Sequence, residues 1–125
     1  MSSYMTLPWP PTINTFYTVA RNRKILSKRG RQYKKDAQIF LMKHKPSKIE
    51  GKVKVTIVAN PPDRRKRDLD NILKPILDAL TEYGVYDDDS DIDELTIIRS
   101  DIRKFGDIYV RVDAIQNNSS TEEVA

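Results

Sequence analysis

The stretch Asp63–Pro75, DRRKRDLDNILKP, sets four basic residues, Arg64, Arg65, Lys66 and Arg67, directly against two carboxylates two positions apart, Asp68 and Asp70. A lysine, Lys74, follows one helical turn later. Cations at this density attract a polyanion. Carboxylates in the same place repel phosphate unless they hold a cation of their own. The two together point to a phosphodiester and a metal ion in one site. All-oxygen ligands suit Mg²⁺, which binds through one or two carboxylates plus substrate phosphate and keeps several waters; Mn²⁺ is the alternative ion. Such an ion activates water and stabilises a leaving oxygen, and Lys74 can neutralise charge on the pentacoordinate phosphorus. A plainer reading stays open, with Asp70 as a helix N-cap and Asp68 solvated beside Arg67.

A metal site of this kind wants a third carboxylate, and YDDDSDIDEL supplies six acids between Asp87 and Glu94. The run fails the EF-hand pattern: counted from Asp87, the sixth position is Ile92 and the twelfth Ile98, where Gly and Glu are required. At least three of these acids are expected to be solvated turn residues, which leaves one or two as ligands. Further cations stand upstream: Arg21, Arg23, Lys24, Lys28, Arg29, Arg31, Lys34 and Lys35. With Arg64–Arg67 they make a face for phosphate contacts that position a duplex without reading its sequence, the bland alternative being a solvated charged surface. Trp9, flanked by prolines, reads as a cap packed on the core or as a wedge against a base. His44 reads as a surface or capping residue. Asn71 and Asn14 either assist the acids or belong to the helix start and the loop that carry them.

The charge is divided along the chain. Its net value is +4 over 125 residues, but residues 1–67 hold 17 Lys/Arg against 3 Asp/Glu, and residues 68–125 hold 5 against 15. The boundary falls inside the opening stretch. Absence of cysteine excludes disulfides, thiolate metal sites and thiol nucleophiles. No apolar run approaches the ~20 residues of a membrane helix, and MSSYMTLPWPP lacks the regions of a signal peptide. The expected protein is cytoplasmic and not membrane-bound.

These residues need a scaffold, and the pattern provides one without repeats. Tyr4–Leu7 reads as a short strand, and LPWPPTINTFY as a proline-bearing loop. Arg21–Leu26 reads as a second strand. Ser27 is an N-cap, after which Tyr33, Ala37, Phe40, Leu41 and His44 recur at helical spacing until Pro46. Val53, Val55, Ile57 and Ala59 alternate with polar residues as a half-buried strand. Ile72, Leu73, Ile76, Leu77, Leu80 and Tyr83 form a second helical stripe closed by Gly84. Pro75 requires that this helix begin near Leu73 or open with a distorted turn. Strands at Leu95–Ile102 and Ile108–Ile115 flank RKFGD, where Gly106 would turn a hairpin. The expectation is a single α+β domain over residues 1–115, a mixed sheet of four to five strands packed with two main helices. Residues 116–125 are expected to be a disordered tail.

Taken together, LPWPPTINTFY, SKRGRQYKKD, PPDRRKRDLDNILKPILDAL and YGVYDDDSDI resemble the RusA family of Holliday junction resolvases, small endodeoxyribonucleases typical of phages and prophages. The resemblance runs from about Thr6 to Val112. It implies that Asp68, Asp70 and Asp89 are the catalytic, metal-holding carboxylates and Lys74 the catalytic lysine. Asp88 competes with Asp89 as a ligand, because three consecutive aspartates leave the register open by one. It also implies a homodimer, Mg²⁺ dependence and paired cuts in a four-way DNA junction, in recombination and repair within a bacterial host cell. A non-catalytic junction-binding module is the alternative. One geometric question follows. A helix over 71–83 carries the chain roughly 20 Å from Asp70, and residues 84–89 recover at most about that distance fully extended. Asp89 therefore completes its own subunit's site only if the loop doubles straight back; otherwise it completes the partner's.

Overall fold

The computed structural model of the chain describes residues 1–115; the expected tail, 116–125, lies outside the described residues. In chain order the elements are β1 (Ser2–Pro8), α1 (Ile13–Phe16), β2 (Tyr17–Ala20), β3 (Arg23–Leu26), α2 (Lys28–His44), β4 (Val53–Asn60), α3 (Asp70–Tyr83), a 3₁₀ turn (Asp89–Asp91), β5 (Ile92–Arg99) and β6 (Asp107–Ala114). Strands β1, β6, β4 and β5 form one mixed sheet in that order, and β2 and β3 form a separate two-stranded ribbon. The architecture is the expected α+β domain with two main helices.

The alternation on β4 does what its period requires: Val53, Val55, Ile57 and Ala59 are fully buried, on the face where Ile108, Val110 and Val112 of β6 and Met5 and Leu7 of β1 also point. Tyr33, Ala37 and Leu41 of α2 and Ile72, Ile76 and Leu80 of α3 close over them. Each such side chain removed from water contributes about 1.5–3 kcal/mol before the entropy of ordering it. Ser27 caps α2 by accepting from the Gly30 N–H at 3.0 Å. Its hydroxyl also reaches the Thr15 and Phe16 carbonyls at 2.6 and 3.0 Å, which ties α1 and the root of the β2–β3 ribbon to the start of α2.

Four details depart from the sequence reading. The proline-bearing loop contains the one-turn helix α1, and Tyr17, read as loop, opens β2. Arg21 belongs to a turn: Arg21 and Asn22 take φ of 52° and 61°, the paired left-handed residues of a two-residue hairpin. Strand β5 starts three residues earlier than expected. Strands β5 and β6 do not form a hairpin either. β5 pairs parallel with β4, and β6 pairs antiparallel with β4 on its other side. Helix α3 returns the chain to the end where β4 began, so β5 must run parallel. β6 then fills the slot between β1 and β4 where both its backbone edges are paired. A local turn signal at Gly106 is the same whether the next strand is a neighbour or lies two places across.

Helix α3 begins at Asp70, with Leu69 ahead of it in helical geometry and no side-chain cap, so Asp70 is not the N-cap. Asn71 N–H bonds the Asp68 carbonyl at 3.1 Å and Ile72 N–H the Leu69 carbonyl at 3.3 Å. These three-residue spacings tighten the first turn, and Pro75 stands in the helix interior, where it has no N–H to give the Asn71 carbonyl. Gly84 ends it in the left-handed conformation at φ 93°.

Candidate active site

Asp68 is the last exposed residue before α3, Asp70 the first residue in it, and Lys74 stands one turn further along. At about 100° per residue, Asp70, Lys74, Asp78 and Thr81 lie within an arc of roughly 80°. One stripe of the helix therefore carries all four. Lys74 Nζ sits 3.3 Å from Asp78 Oδ1. Burial alone lowers the pKa of Lys74, but the hydrogen bond and charge of Asp78, with the fields of Tyr17 and Asp89, outweigh it and hold the ammonium above its ordinary value.

The acidic turn sorts its carboxylates among different tasks. Asp87 pairs with Lys48 at 2.5 Å. Asp88 caps the 3₁₀ turn by accepting from Ser90 N–H at 3.0 Å and from the Ser90 hydroxyl, contacts that hold its carboxyl below the usual range. Asp91 and Asp93 each lie 3.9 Å from Lys52. Asp89 alone turns toward α3, where it accepts from the Thr81 hydroxyl. Tyr86, buried beneath, donates to the Leu77 carbonyl at 3.3 Å; burial, with the Asp89 charge adding to it, pushes its phenol up and keeps it a donor. The loop after α3 thus does fold back along the helix, with Asp89 bonded to Thr81 and near enough to Lys74 for its charge to act there. Thr81 is eleven residues from Asp70, roughly 16 Å along the axis. Among the described residues no group of three or more His, Asp or Glu is placed to hold one metal ion.

The opening end of α3 is arranged differently. Arg67 pairs with Asp63 at 2.8 Å, lies over the Trp9 ring at 5.6 Å and is itself mostly buried. Asp63 is held below the usual carboxylate range by the Arg67 hydrogen bond, with the Arg65 backbone N–H adding to it. Arg99 donates to the Arg67 carbonyl. The guanidinium beside Asp68 in sequence is therefore committed to Asp63 and Trp9, whereas Arg64, Arg65 and Lys66 point to solvent. Trp9 is the packed cap, half-buried. Among the described residues no ion pair reaches Asp68, Asp70 or Asp89. Two exposed, unpaired carboxylates with only oxygen to offer fit a hard divalent ion. A cleft of about 330 Å³ opens beside Asp68, lined also by Trp9, Arg64, Arg67, Arg99 and Ile102.

The ribbon and α2 carry the other cations. Lys24 lies 4.6 Å over the Tyr17 ring, and Tyr17 is near enough to Lys74 to raise its pKa, so the ribbon bearing Arg21, Arg23 and Lys24 flanks the Lys74 stripe. Lys28, Arg29, Arg31 and Lys35 are exposed on the first half of α2. Lys34 pairs with Glu82 of α3 at 3.7 Å. His44 is exposed at the end of α2, Asn71 is half-buried in the first turn of α3, and Asn14 is exposed in α1. The sequence reading missed Tyr17, Asp78, Thr81 and Tyr86. The i+4 and i+7 spacing from Lys74 was the available signal for Asp78 and Thr81; nothing local marks the other two.

The chain matches the family model of the endodeoxyribonuclease RusA over residues 8–113. It is 36% identical over 101 residues to the crossover junction endodeoxyribonuclease rusA of Enterobacteria phage HK97, an alignment covering 79% of this chain and 84% of the relative. It is 34% identical over 119 residues to the protein of the same description from Escherichia coli K12 and to that of Enterobacteria phage 82, covering 94% of this chain and 99% of each relative.

Proposed function

From the premise that this chain belongs to the RusA family of endodeoxyribonucleases, we propose that it resolves four-way DNA junctions by paired, symmetric, Mg²⁺-dependent nicks. The observation that carries this reading is the α3 stripe: exposed, unpaired Asp68 and Asp70 at one end and Lys74 one turn along. Asp68, Asp70 and Asp89 would hold the ion, with Asp88, bonded to Ser90, as the rival for Asp89. The bound ion supplies an activated water and charge stabilisation at the scissile phosphate. Lys74, held protonated by Asp78, neutralises charge developing on the phosphoryl oxygens. Arg64, Arg65, Lys66 and the cations of the ribbon and α2 bind the flanking phosphates. Affinity should fall steeply with salt, and a flat response would sink that assignment.

The protein acts as a homodimer in this reading, and the dimer completes the site. Asp70 and Thr81 occupy one stripe at opposite ends of α3. A two-fold axis that sets two α3 helices antiparallel brings Asp70 of one subunit against Asp89 of the partner subunit, and does so twice. The same axis matches the two-fold symmetry of the junction. A lone subunit, with no three-acid cluster, would be the alternative, a DNA-binding module without chemistry.

The test is cleavage of an end-labelled four-way junction beside a linear duplex of the same sequence, by wild type and Asp70→Asn, with and without Mg²⁺. Symmetric, metal-dependent nicks in the junction alone, lost in the variant, are expected. Tight binding with no cutting under any metal would leave the binding module.

A further inference from the structure

The turn between β5 and β6 displays an aromatic ring that neither the core nor the proposed chemistry uses. Phe105 is 81% exposed, the highest value among the large hydrophobic side chains of the described residues, and its backbone sits at φ 68°, a region that bulky L-residues rarely adopt. Burial and backbone preference both argue for a small residue here.

The mount is rigid. Arg103 N–H donates to the Pro61 carbonyl at 2.9 Å, and Gly106 N–H to the Arg103 carbonyl at 2.8 Å. Gly106, at φ 69°, packs so closely that a Cβ would come within 2.9 Å of Pro62 and 3.0 Å of Trp9. Trp9 is the ring under Arg67, and Ile102 lines the same cleft as Asp68. The turn is thus anchored to the base of the loop that carries the candidate carboxylates. Lys104 Nζ lies 5.3 Å from the Phe105 ring centroid. Arg103 stands beside it, 3.8 Å from Asp107, and Asp101 is the other acid of the turn.

We propose that Phe105 stacks on a nucleobase exposed at the branch point of bound junction DNA, holding the strand whose phosphate lies at Asp68 and Asp70. The inference rests on the junction reading above. A ring bordered by the Lys104 ammonium fits a base with its phosphate, since every base offers a π-face and the backbone carries the opposite charge. A second copy of this surface would instead set Arg64–Lys66 and Lys104 against like charges.

Stacking distinguishes itself from packing because the informative substitution suits the backbone: Phe105→Gly removes the ring where glycine is the favoured residue. The full chain is titrated without divalent metal against a four-way junction and a linear duplex, with 2-aminopurine at the branch point. The melting temperature of Phe105→Gly should be no lower than wild type. Its junction affinity should fall roughly 5- to 150-fold, the worth of one stacked base, with duplex affinity unchanged and the branch-point fluorescence response lost. Phe105→Trp should retain both. Wild-type preference for the junction persisting undiminished in Phe105→Gly would overturn this proposal alone. Equal binding of junction and duplex by wild type would remove the junction reading and this proposal with it. A change in subunit association on size exclusion would make the ring a subunit contact and equally overturn it.

Discussion

The two ends of α3 both carry aspartates, yet they stand in opposite states. Beyond its C-terminus the acids are engaged within the chain: Asp87 with Lys48, Asp88 with Ser90, Asp91 and Asp93 with Lys52, Asp89 with Thr81. At its N-terminus the nearest guanidinium has been diverted to Asp63 and Trp9, and Asp68 and Asp70 face solvent, Asp68 on the rim of a cleft. A carboxylate ion-paired within its own chain, as Asp87, Asp91 and Asp93 are, has a structural task, whereas Asp68, Asp70 and Asp89 form no ion pair among the described residues. The acid-rich end is therefore mostly engaged in ion pairs and turn bonds, and the cation-rich end leaves Asp68 and Asp70 without an ion-pair partner among the described residues.

The sharpest way to break that contrast is Asp70→Asn, expected to reduce junction cleavage on the order of 10³-fold while binding is kept or tightened, measured by nicking and by gel shift. Asp89→Asn should lose cleavage to a similar degree and Asp88→Asn by no more than about twofold, since capping a turn is not ligation; equal loss from both would place Asp88 in the site. Mixing Asp70→Asn with Asp89→Asn subunits should restore single nicks if Asp89 acts across the dimer, because each heterodimer regains one intact centre. No recovery would put the site within one subunit. Thr81→Val frees Asp89 from α3 and should lower cleavage about tenfold with binding unchanged.

Smaller effects follow from titration. The Lys74 pKa is raised above 10.5 by Asp78 against the opposing effect of burial, so its charge and the stability of that pair are complete below 10.5 and lost as pH rises through the folded value. Asp78→Asn leaves burial and moves the titration to lower pH, readable by NMR of the Lys74 ε-methylene. Asp63 runs the other way. Its folded pKa lies below 3.8, so its contribution is present above 3.8 and lost as pH falls through the folded value. Arg67→Met should narrow the difference in stability between pH 7 and pH 3 in denaturant titrations; an unchanged difference would mean the pair contributes nothing.

Much of this was legible because the signals were local. Ser27 as a cap, the β4 alternation and Gly84 depend on neighbours a few residues away, and each stands where its period or backbone preference put it. The candidate acids were legible as residue types, and Lys74 by its one-turn spacing. Asp78 and Thr81 carry only the i+4 and i+7 spacing from Lys74, a signal that does not say which of the residues so spaced meets it. The β5–β6 hairpin failed because Gly106 specifies a turn without specifying what lies across it.

By itself the sequence determined the elements and the chemical inventory: two amphipathic helices, a half-buried strand, a basic half, an acidic half and a carboxylate pair at their junction. These are set by side-chain period, capping and charge, interactions that reach only a turn or two along the chain. Only the tertiary structure decided that β6 lies between β1 and β4, that Arg67 serves Asp63 and Trp9, and that Asp89 alone of the acidic run meets α3. Those outcomes depend on which distant segments share a surface, and that is fixed by burying one common core rather than by any neighbour in sequence.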